Sequence, residues 1–92
     1  MGRQRLTVYY SGRVQGVGFR YTVKSLTPGF EVAGTVRNLP DGRVELIAEG
    51  VRQELEAFRD AIRASGVGRM IQREEEFWCE AAGTFRGFEI VS

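Results

Sequence analysis

A chain of 92 residues with 42% apolar side chains is long enough for one hydrophobic core and too short for two, so we expect a single domain over residues 1–92. The formal charge of +1, with acidic and basic residues interspersed, disfavours a nucleic-acid-binding module, which depends on phosphate neutralisation. The absence of histidine removes the commonest metal ligand and general base, and the single cysteine, Cys79, rules out an internal disulfide.

The first predicted element is a strand over residues 6–11, where apolar and polar side chains alternate. Residues 1–5 before it are polar and are expected to fray. A helix is predicted from about Phe19, with apolar side chains recurring on one face. Thr27-Pro28-Gly29 should end this helix after roughly two turns, because proline disfavours α geometry in the residue before it.

Alternation resumes over residues 30–37 and again over residues 44–49, which predicts two further strands. The sequence Asn38-Leu39-Pro40-Asp41-Gly42 between them is typical of a turn, so these strands should form an antiparallel hairpin. Apolar side chains then fall every three or four positions from Val51 to Ala64, which predicts a second helix that stops near Gly66.

The C-terminal third is harder to interpret. Residues 68–80 include strand-forming side chains, but the run Glu74-Glu75-Glu76 shows no alternation, and the register of a strand there stays open. We interpret the acidic run as a solvated edge rather than a metal site, because adjacent strand residues cannot all point one way. A last strand is expected over residues 85–91 with a bend at Gly87. The order of elements predicts a ferredoxin-like α+β fold, βαββαβ, in which an antiparallel sheet carries both helices on one face.

A loop rich in glycine, Gly12-Arg13-Val14-Gln15-Gly16-Val17-Gly18-Phe19-Arg20, joins the first strand to the first helix and is called the glycine loop below. Gly16 and Gly18 can adopt positive φ and turn successive N–H groups toward one point, where the helix start adds its own positive dipole end. Arg20 adds a planar cation that matches phosphate oxygens. The spacing excludes a Walker loop and a dinucleotide fingerprint. From the loop alone, a phosphate site and a plain glycine turn with a solvated arginine are equally good interpretations.

Three segments together closely resemble the acylphosphatase family: the glycine loop, the hairpin sequence from Gly34 to Glu45, and Phe85-Arg86-Gly87-Phe88-Glu89-Ile90. The first two are the family's signature motifs, and Arg20 and Asn38 are eighteen positions apart, as in the family. The resemblance implies a small hydrolase that splits a carboxyl phosphate into carboxylate and inorganic phosphate without metal or cofactor. Such chemistry suits a chain without histidine, because an acyl phosphate already has a good leaving group.

The resemblance also implies roles for particular residues. The phosphate would be cradled by the backbone of six consecutive residues, Gln15, Gly16, Val17, Gly18, Phe19 and Arg20. The Arg20 guanidinium would bind the phosphate oxygens, and the Asn38 carboxamide would orient the attacking water. From the hairpin alone, Asn38 is more simply a turn residue that bonds its own backbone. Two features depart from the usual family pattern, Thr27-Pro28-Gly29 within the first helical region and Thr35 where a large aromatic side chain is common, and both bear on rate and stability.

The alternative function is a non-catalytic module on the same fold that binds phosphate or a phosphorylated metabolite. An RNA-binding domain is disfavoured, because residues 44–49 offer two glutamates and no aromatic side chain for base stacking. No apolar run is long enough for a signal peptide or a membrane span. We therefore expect a monomeric, cytoplasmic enzyme whose partner is a small-molecule acyl phosphate, with no nucleic acid or membrane partner.

Overall fold

The computed structural model describes residues 2–92, in which two helices pack on one face of a five-stranded sheet. The strands and helices, in chain order, are β1 (Gln4–Gly12), α1 (Phe19–Leu26), β2 (Ala33–Asn38), β3 (Val44–Gly50), α2 (Arg52–Ala64), β4 (Ile71–Glu80) and β5 (Phe88–Ile90). The strand order across the sheet is β4-β1-β3-β2-β5. This arrangement confirms the predicted ferredoxin-like α+β fold. The sheet is mixed rather than wholly antiparallel, because the short β5 pairs in parallel with β2.

The core lies between the sheet and the helices. In β1, the alternate side chains Leu6, Val8 and Tyr10 face the helices and are fully buried, as predicted from the alternation. The partner strand β3 contributes Val44, Leu46 and Ala48 to the same layer, in register with Tyr10, Val8 and Leu6. From the helices, the buried side chains are Phe19, Val23, Leu55, Phe58 and Ile62. Each large apolar side chain buried in this way stabilises the fold by about 1.5–3 kcal/mol.

The start of β1 differs from the expectation. Met1 lies outside the described residues, but Gln4 and Arg5 do not fray, because β3 and β4 flank them on both sides. Gln4 pairs with Gly50 and with Glu80, and the Arg5 guanidinium donates to the Glu49 carboxylate at 2.8 Å. The polar composition of this segment reflects its place at the end of the sheet, where side chains form ion pairs rather than core contacts.

The uncertain segment of residues 68–80 forms the ten-residue edge strand β4, preceded by a 3₁₀ turn at Gly68–Met70. Its register with β1 shifts at a bulge between Ser11 and Gly12. Glu74 and Glu76 are on the helix side of the sheet, where they pair with the arginines of α2 at 2.9–3.1 Å. The apolar alternation is missing because ion pairs hold the helix side of this edge. All three glutamates are half-buried, so the run is a paired edge rather than the solvated edge that the sequence suggested.

Element boundaries follow the predicted turn chemistry, with three exceptions. Helix α1 passes at Leu26 into a 3₁₀ turn at Thr27–Gly29, as expected. Helix α2 ends at an extended Ser65, and Gly66 does not adopt the left-handed conformation of a glycine stop. β2 begins at Ala33 rather than at residue 30, and β5 begins at Phe88 rather than at residue 85. Within residues 2–92, neither helix is long and apolar enough to cross a membrane.

Candidate active site

The glycine loop presents a row of N–H groups that the protein itself does not use. Gly16 and Gly18 have φ values of 76° and 80°, the conformation expected from the sequence, and Gly18 is the N-cap of α1. The first helical bond runs from the Thr22 N–H group to the Gly18 carbonyl at 2.9 Å. Among the hydrogen bonds within residues 2–92, none uses the N–H group of any residue from Gln15 to Arg20. Unpaired N–H groups at a helix start are donors that anions bind in many proteins.

Arg20 is the cation at the helical end of this loop. It is in the first turn of α1 and is half-buried, and its guanidinium has no ion pair or hydrogen bond within residues 2–92. Seven other arginines of the described chain pair with carboxylates, whereas Arg13, Arg69 and Arg86, like Arg20, do not. The start of α1 is anchored by Phe19, whose ring packs against that of Tyr10 with centroids 5.0 Å apart. The position of Arg20 is therefore set by core packing, and its donors are available to a ligand.

Asn38 ends β2 on the side of the sheet that faces the helices. It pairs with Val44 in β3, and Val44 pairs on its other side with Tyr10 in β1, so the three residues form one row across the sheet. The Asn38 Oδ1 atom is buried and has no hydrogen-bond partner within residues 2–92. A buried acceptor without a partner is uncommon in proteins and leaves one hydrogen-bonding position for a water or a ligand.

The turn does not depend on the Asn38 side chain. The Asp41 carboxylate accepts one hydrogen bond from the Arg43 backbone N–H group at 3.0 Å and another from Arg43 Nε at 2.8 Å. These bonds and the desolvation of the carboxyl group act on its pKa; the backbone bond from Arg43 is the largest influence, and the net effect lowers the pKa of Asp41. The interpretation of Asn38 as the residue that bonds its own turn is therefore wrong, and Asp41 has that role.

The Gln15 side chain joins the glycine loop to the hairpin. Its Nε2 atom donates to the Leu39 carbonyl at 2.8 Å and to the Arg43 carbonyl at 2.9 Å. Leu39 follows Asn38 directly, so the loop and the end of β2 are in hydrogen-bond contact, as the predicted site requires. Sequence reasoning assigned Gln15 only a backbone role and missed this bridge, since partners 24 and 28 residues away give no local signal.

A family model for acylphosphatases matches residues 6–90. The chain belongs to the acylphosphatase family. An acylphosphatase of Saccharopolyspora erythraea is 39% identical over 84 residues, which span 91% of this chain and 88% of that protein. An acylphosphatase of Acaryochloris marina is 41% identical, with 94% and 91% of the two chains covered. The crystal structure of acylphosphatase from Bacillus subtilis has a TM-score of 0.87 and 32% identity, and covers 97% of this chain and 99% of that one.

The other polar side chains near the glycine loop and the hairpin of this acylphosphatase either pair with other residues or lie away from the site. Arg37 donates to Glu45 at 2.8 Å, and this hydrogen bond raises the pKa of the Arg37 guanidinium. Cys79 is exposed on β4, which is separated from β2 by the two strands β1 and β3. The Tyr10 hydroxyl is buried without a partner, and burial, with Glu74 nearby, raises its pKa far above the ordinary range, so it stays protonated. Within residues 2–92, no three His, Cys, Asp or Glu side chains are grouped so as to hold a metal ion.

The two departures from the family pattern have local structural consequences. At Thr27, the hydroxyl donates to the Lys24 carbonyl at 2.8 Å, and α1 stops there after eight residues. Thr35 points to the sheet face without helices, because its neighbours Gly34 and Val36 are buried on the helix side. There it lines a surface cavity of about 280 Å³ together with residues 84–87. Thr35 is therefore on the sheet face opposite to the side chains of Asn38, Val44 and Tyr10.

Proposed function

We propose that this acylphosphatase hydrolyses carboxyl phosphates by binding the phosphoryl group in the glycine loop and directing water to phosphorus with Asn38. One observation carries the proposal: six consecutive N–H groups, Gln15 to Arg20, have no acceptor within residues 2–92 and begin the helix that carries the unpaired Arg20. Donors that are already oriented need no rearrangement when negative charge develops, which is the largest source of catalysis in many enzymes.

The reaction then follows from the charges. The phosphoryl dianion occupies the N–H row, and Arg20 donates to two of its oxygens through the guanidinium fork. Water attacks phosphorus, a new P–O bond forms, and the bond between phosphorus and the bridging oxygen breaks. The bridging oxygen leaves with the carboxylate, and the water's protons end on the inorganic phosphate. The positive N–H row and Arg20 stabilise the spread charge of the transition state, in the role that a magnesium ion has in many phosphoryl transfers.

Asn38 supplies orientation rather than basicity. Its unpartnered Oδ1 atom can accept a hydrogen bond from the attacking water, and holding the nucleophile in line contributes strongly to a reaction between two bound partners. No strong general base is needed for an acyl phosphate, because the carboxylate is a good leaving group. Proton transfer to the phosphate oxygens can follow the attack. The catalytic residues in this proposal are Arg20 and Asn38, and the phosphate-binding backbone is that of Gln15, Gly16, Val17, Gly18, Phe19 and Arg20.

We infer a single catalytic domain over residues 1–92 that acts as a cytoplasmic monomer on a small substrate. The outer edge of β4 argues against edge-to-edge dimers, since antiparallel pairing of two copies centred on Glu75 would set Glu74 opposite Glu76. The exposed Cys79 thiol is compatible with a reducing compartment.

Phosphate release from benzoyl phosphate in the presence of EDTA tests the function. We expect turnover by the wild-type chain and a loss of about 10²–10³-fold in kcat for Asn38→Ala, comparable to the loss of a transition-state donor. Asp41→Asn is the matched control, because it alters the same hairpin without touching the water or the phosphate. Binding of inorganic phosphate without turnover would support the alternative of a non-catalytic binding module. Wild-type kcat in Asn38→Ala would remove Asn38 from the mechanism.

A further inference from the structure

We propose that the Gln15 side chain is a positioning residue, which sets the distance between the attacking water at Asn38 and the phosphoryl group in the glycine loop. The inference rests on the proposed function and assigns the side chain of Gln15 a task separate from that of its backbone N–H group. It concerns kcat rather than phosphate affinity, because the bridge ends on the hairpin and leaves the N–H row of the loop unchanged.

The two bonds of the bridge fix the Gln15 amide without ambiguity. Both partners, the Leu39 and Arg43 carbonyls, can only accept, so the amide nitrogen must face them and both of its hydrogens are used. The same two carbonyls close the hairpin turn, since Leu39 O accepts the Gly42 N–H group at 3.1 Å and Arg43 O accepts the Leu39 N–H group at 2.8 Å. A single side chain therefore holds both strands of the hairpin at the residues where they enter the turn.

No other hydrogen bond performs this task in the described chain. Between residues 13–18 and residues 38–43, the only hydrogen bonds within residues 2–92 are the two from Gln15. At its start, the glycine loop is fixed by the Arg13 N–H group donating to the Met70 carbonyl at 3.1 Å, on the far side of β1 from the hairpin. At its end, the loop is fixed by the packing of Phe19 on Tyr10. Neither anchor includes a hydrogen bond to residues 38–43.

The geometry of the sheet explains why a bridge is needed. β1 and β2 are not neighbours, because β3 lies between them. The glycine loop leaves the end of β1 and Asn38 ends β2, so the two halves of the site are separated by the width of one strand. The Gln15 amide spans that gap at the point where β3 begins. A displacement of about 1 Å between a bound nucleophile and its target can lower a rate about 10²-fold.

Replacing Gln15 with methionine, which has a similar shape and no donors, tests the inference. We expect Gln15→Met to lower kcat for benzoyl phosphate about 10–100-fold, while the inhibition constant of inorganic phosphate changes less than about threefold. Gln15→Glu should lower kcat more than Gln15→Met does, because its carboxylate oxygens would face two carbonyl oxygens. Gln15→Asn keeps the amide but is one methylene too short, and it replaces the methionine variant if that variant does not fold.

A double-mutant cycle separates positioning from general stabilisation. If Gln15 acts through Asn38, then adding Gln15→Met to Asn38→Ala should lower kcat by less than about threefold further. The control is Asp41→Ala, which removes the other side-chain bonds of the turn and should multiply independently with Asn38→Ala. Independent, multiplicative losses for Gln15→Met and Asn38→Ala would overturn the inference. An equal fall in phosphate affinity would overturn it too, since the side chain would then serve the phosphate site.

A readout without turnover distinguishes this inference from the proposed function. In ¹⁵N–¹H spectra, Gln15→Met should shift the backbone and side-chain amides of Asn38 and speed the hydrogen exchange of the Gly42 amide. Unchanged Asn38 resonances would overturn the positioning role whether or not the wild-type chain hydrolyses benzoyl phosphate. Shifted Asn38 resonances in a chain that shows no turnover would support the bridge and refute the proposed function alone.

Discussion

Replacing Glu49 with alanine should destabilise the fold strongly, because this buried carboxylate holds the segment that leads into β5. Glu49 is 1% exposed and accepts hydrogen bonds from Arg5 Nε at 2.8 Å, the Ala82 N–H group at 2.9 Å and the Gly83 N–H group at 3.0 Å. It thus ties β1 and β3 to residues 82–83, which precede the strand β5.

The magnitude follows from the groups that lose their acceptor. Each of the two part-buried N–H groups left unpaired costs about 1–3 kcal/mol, and we take the lower half of that range because water can reach the segment once it is released. The Arg5 pair adds less than about 1 kcal/mol, because the Arg5 side chain is 26% exposed and solvent screens the pair. The free energy of unfolding should therefore fall by about 3 kcal/mol, which lowers Tm by roughly 12–24 °C for a domain of this size.

The pH dependence provides the sharper test. Burial alone would raise the pKa of Glu49, but the bonds from Ala82, Arg5 and Gly83 outweigh it and lower the pKa below its usual value. The unfolded chain binds the proton more readily, so the stabilisation is complete above about pH 5 and is lost as the pH falls through the ordinary glutamate value of about 4.3 toward the lower folded value.

Urea unfolding of the wild-type chain and of Glu49→Gln between pH 3 and pH 7 measures this contribution. We expect the wild-type free energy of unfolding to fall more steeply with decreasing pH than that of Glu49→Gln, which keeps the shape of the side chain and does not titrate. Glu80→Gln, at an exposed position of β4, is the control and should follow the wild-type curve. Parallel curves for the wild-type chain and Glu49→Gln would refute the assignment of Glu49 as the acid-sensitive anchor.

Three further substitutions test separate parts of the account. Arg20→Met should raise KM and lower kcat together, for a loss of about 10²–10³-fold in kcat/KM. Arg20→Lys should recover only part of this loss, because an ammonium lacks the planar fork of a guanidinium. Initial rates that give wild-type kcat/KM would exclude Arg20 from the site. Gly18→Ala should lower the free energy of unfolding by about 1 kcal/mol, because a φ of 80° is strained for any residue with a side chain. The added Cβ atom would meet nothing within 4 Å, so the strain lies in the backbone alone. An unchanged urea midpoint would contradict this. Tyr10→Phe should leave the free energy of unfolding unchanged or raise it by up to about 1 kcal/mol in the same assay, because the hydroxyl that it removes is buried and unpartnered. A loss above about 1 kcal/mol would show that the hydroxyl has a hydrogen-bond partner.

The sequence was informative wherever a local rule decides the structure. The turn at residues 38–42 was predictable because proline and Asp-Gly act within a few residues of themselves, and α1 ends where proline forbids its continuation. The left-handed glycines of the loop were predictable for the same reason. In each case one residue type dictates one backbone conformation.

Features that depend on distant partners were not predictable. The strand β4 has no apolar period, because its helix-side glutamates meet arginines on α2 rather than the core. The parallel pairing of β5 with β2 depends on the path of residues 81–87, which Glu49 fixes from across the sheet. For Asn38, a local rule gave the wrong interpretation, since the turn bonds come from Asp41 and the carboxamide is left without a partner.

Hydrolysis of benzoyl phosphate in water enriched in oxygen-18 shows which atom the water attacks, and the proposed mechanism depends on attack at phosphorus rather than at the carbonyl carbon. The products are separated and weighed by mass spectrometry, with unlabelled phosphate incubated alongside to exclude exchange. We expect the label to enter inorganic phosphate and the benzoate to keep only its original oxygens. Label in the benzoate would place the attack at the carbonyl carbon and would contradict the account.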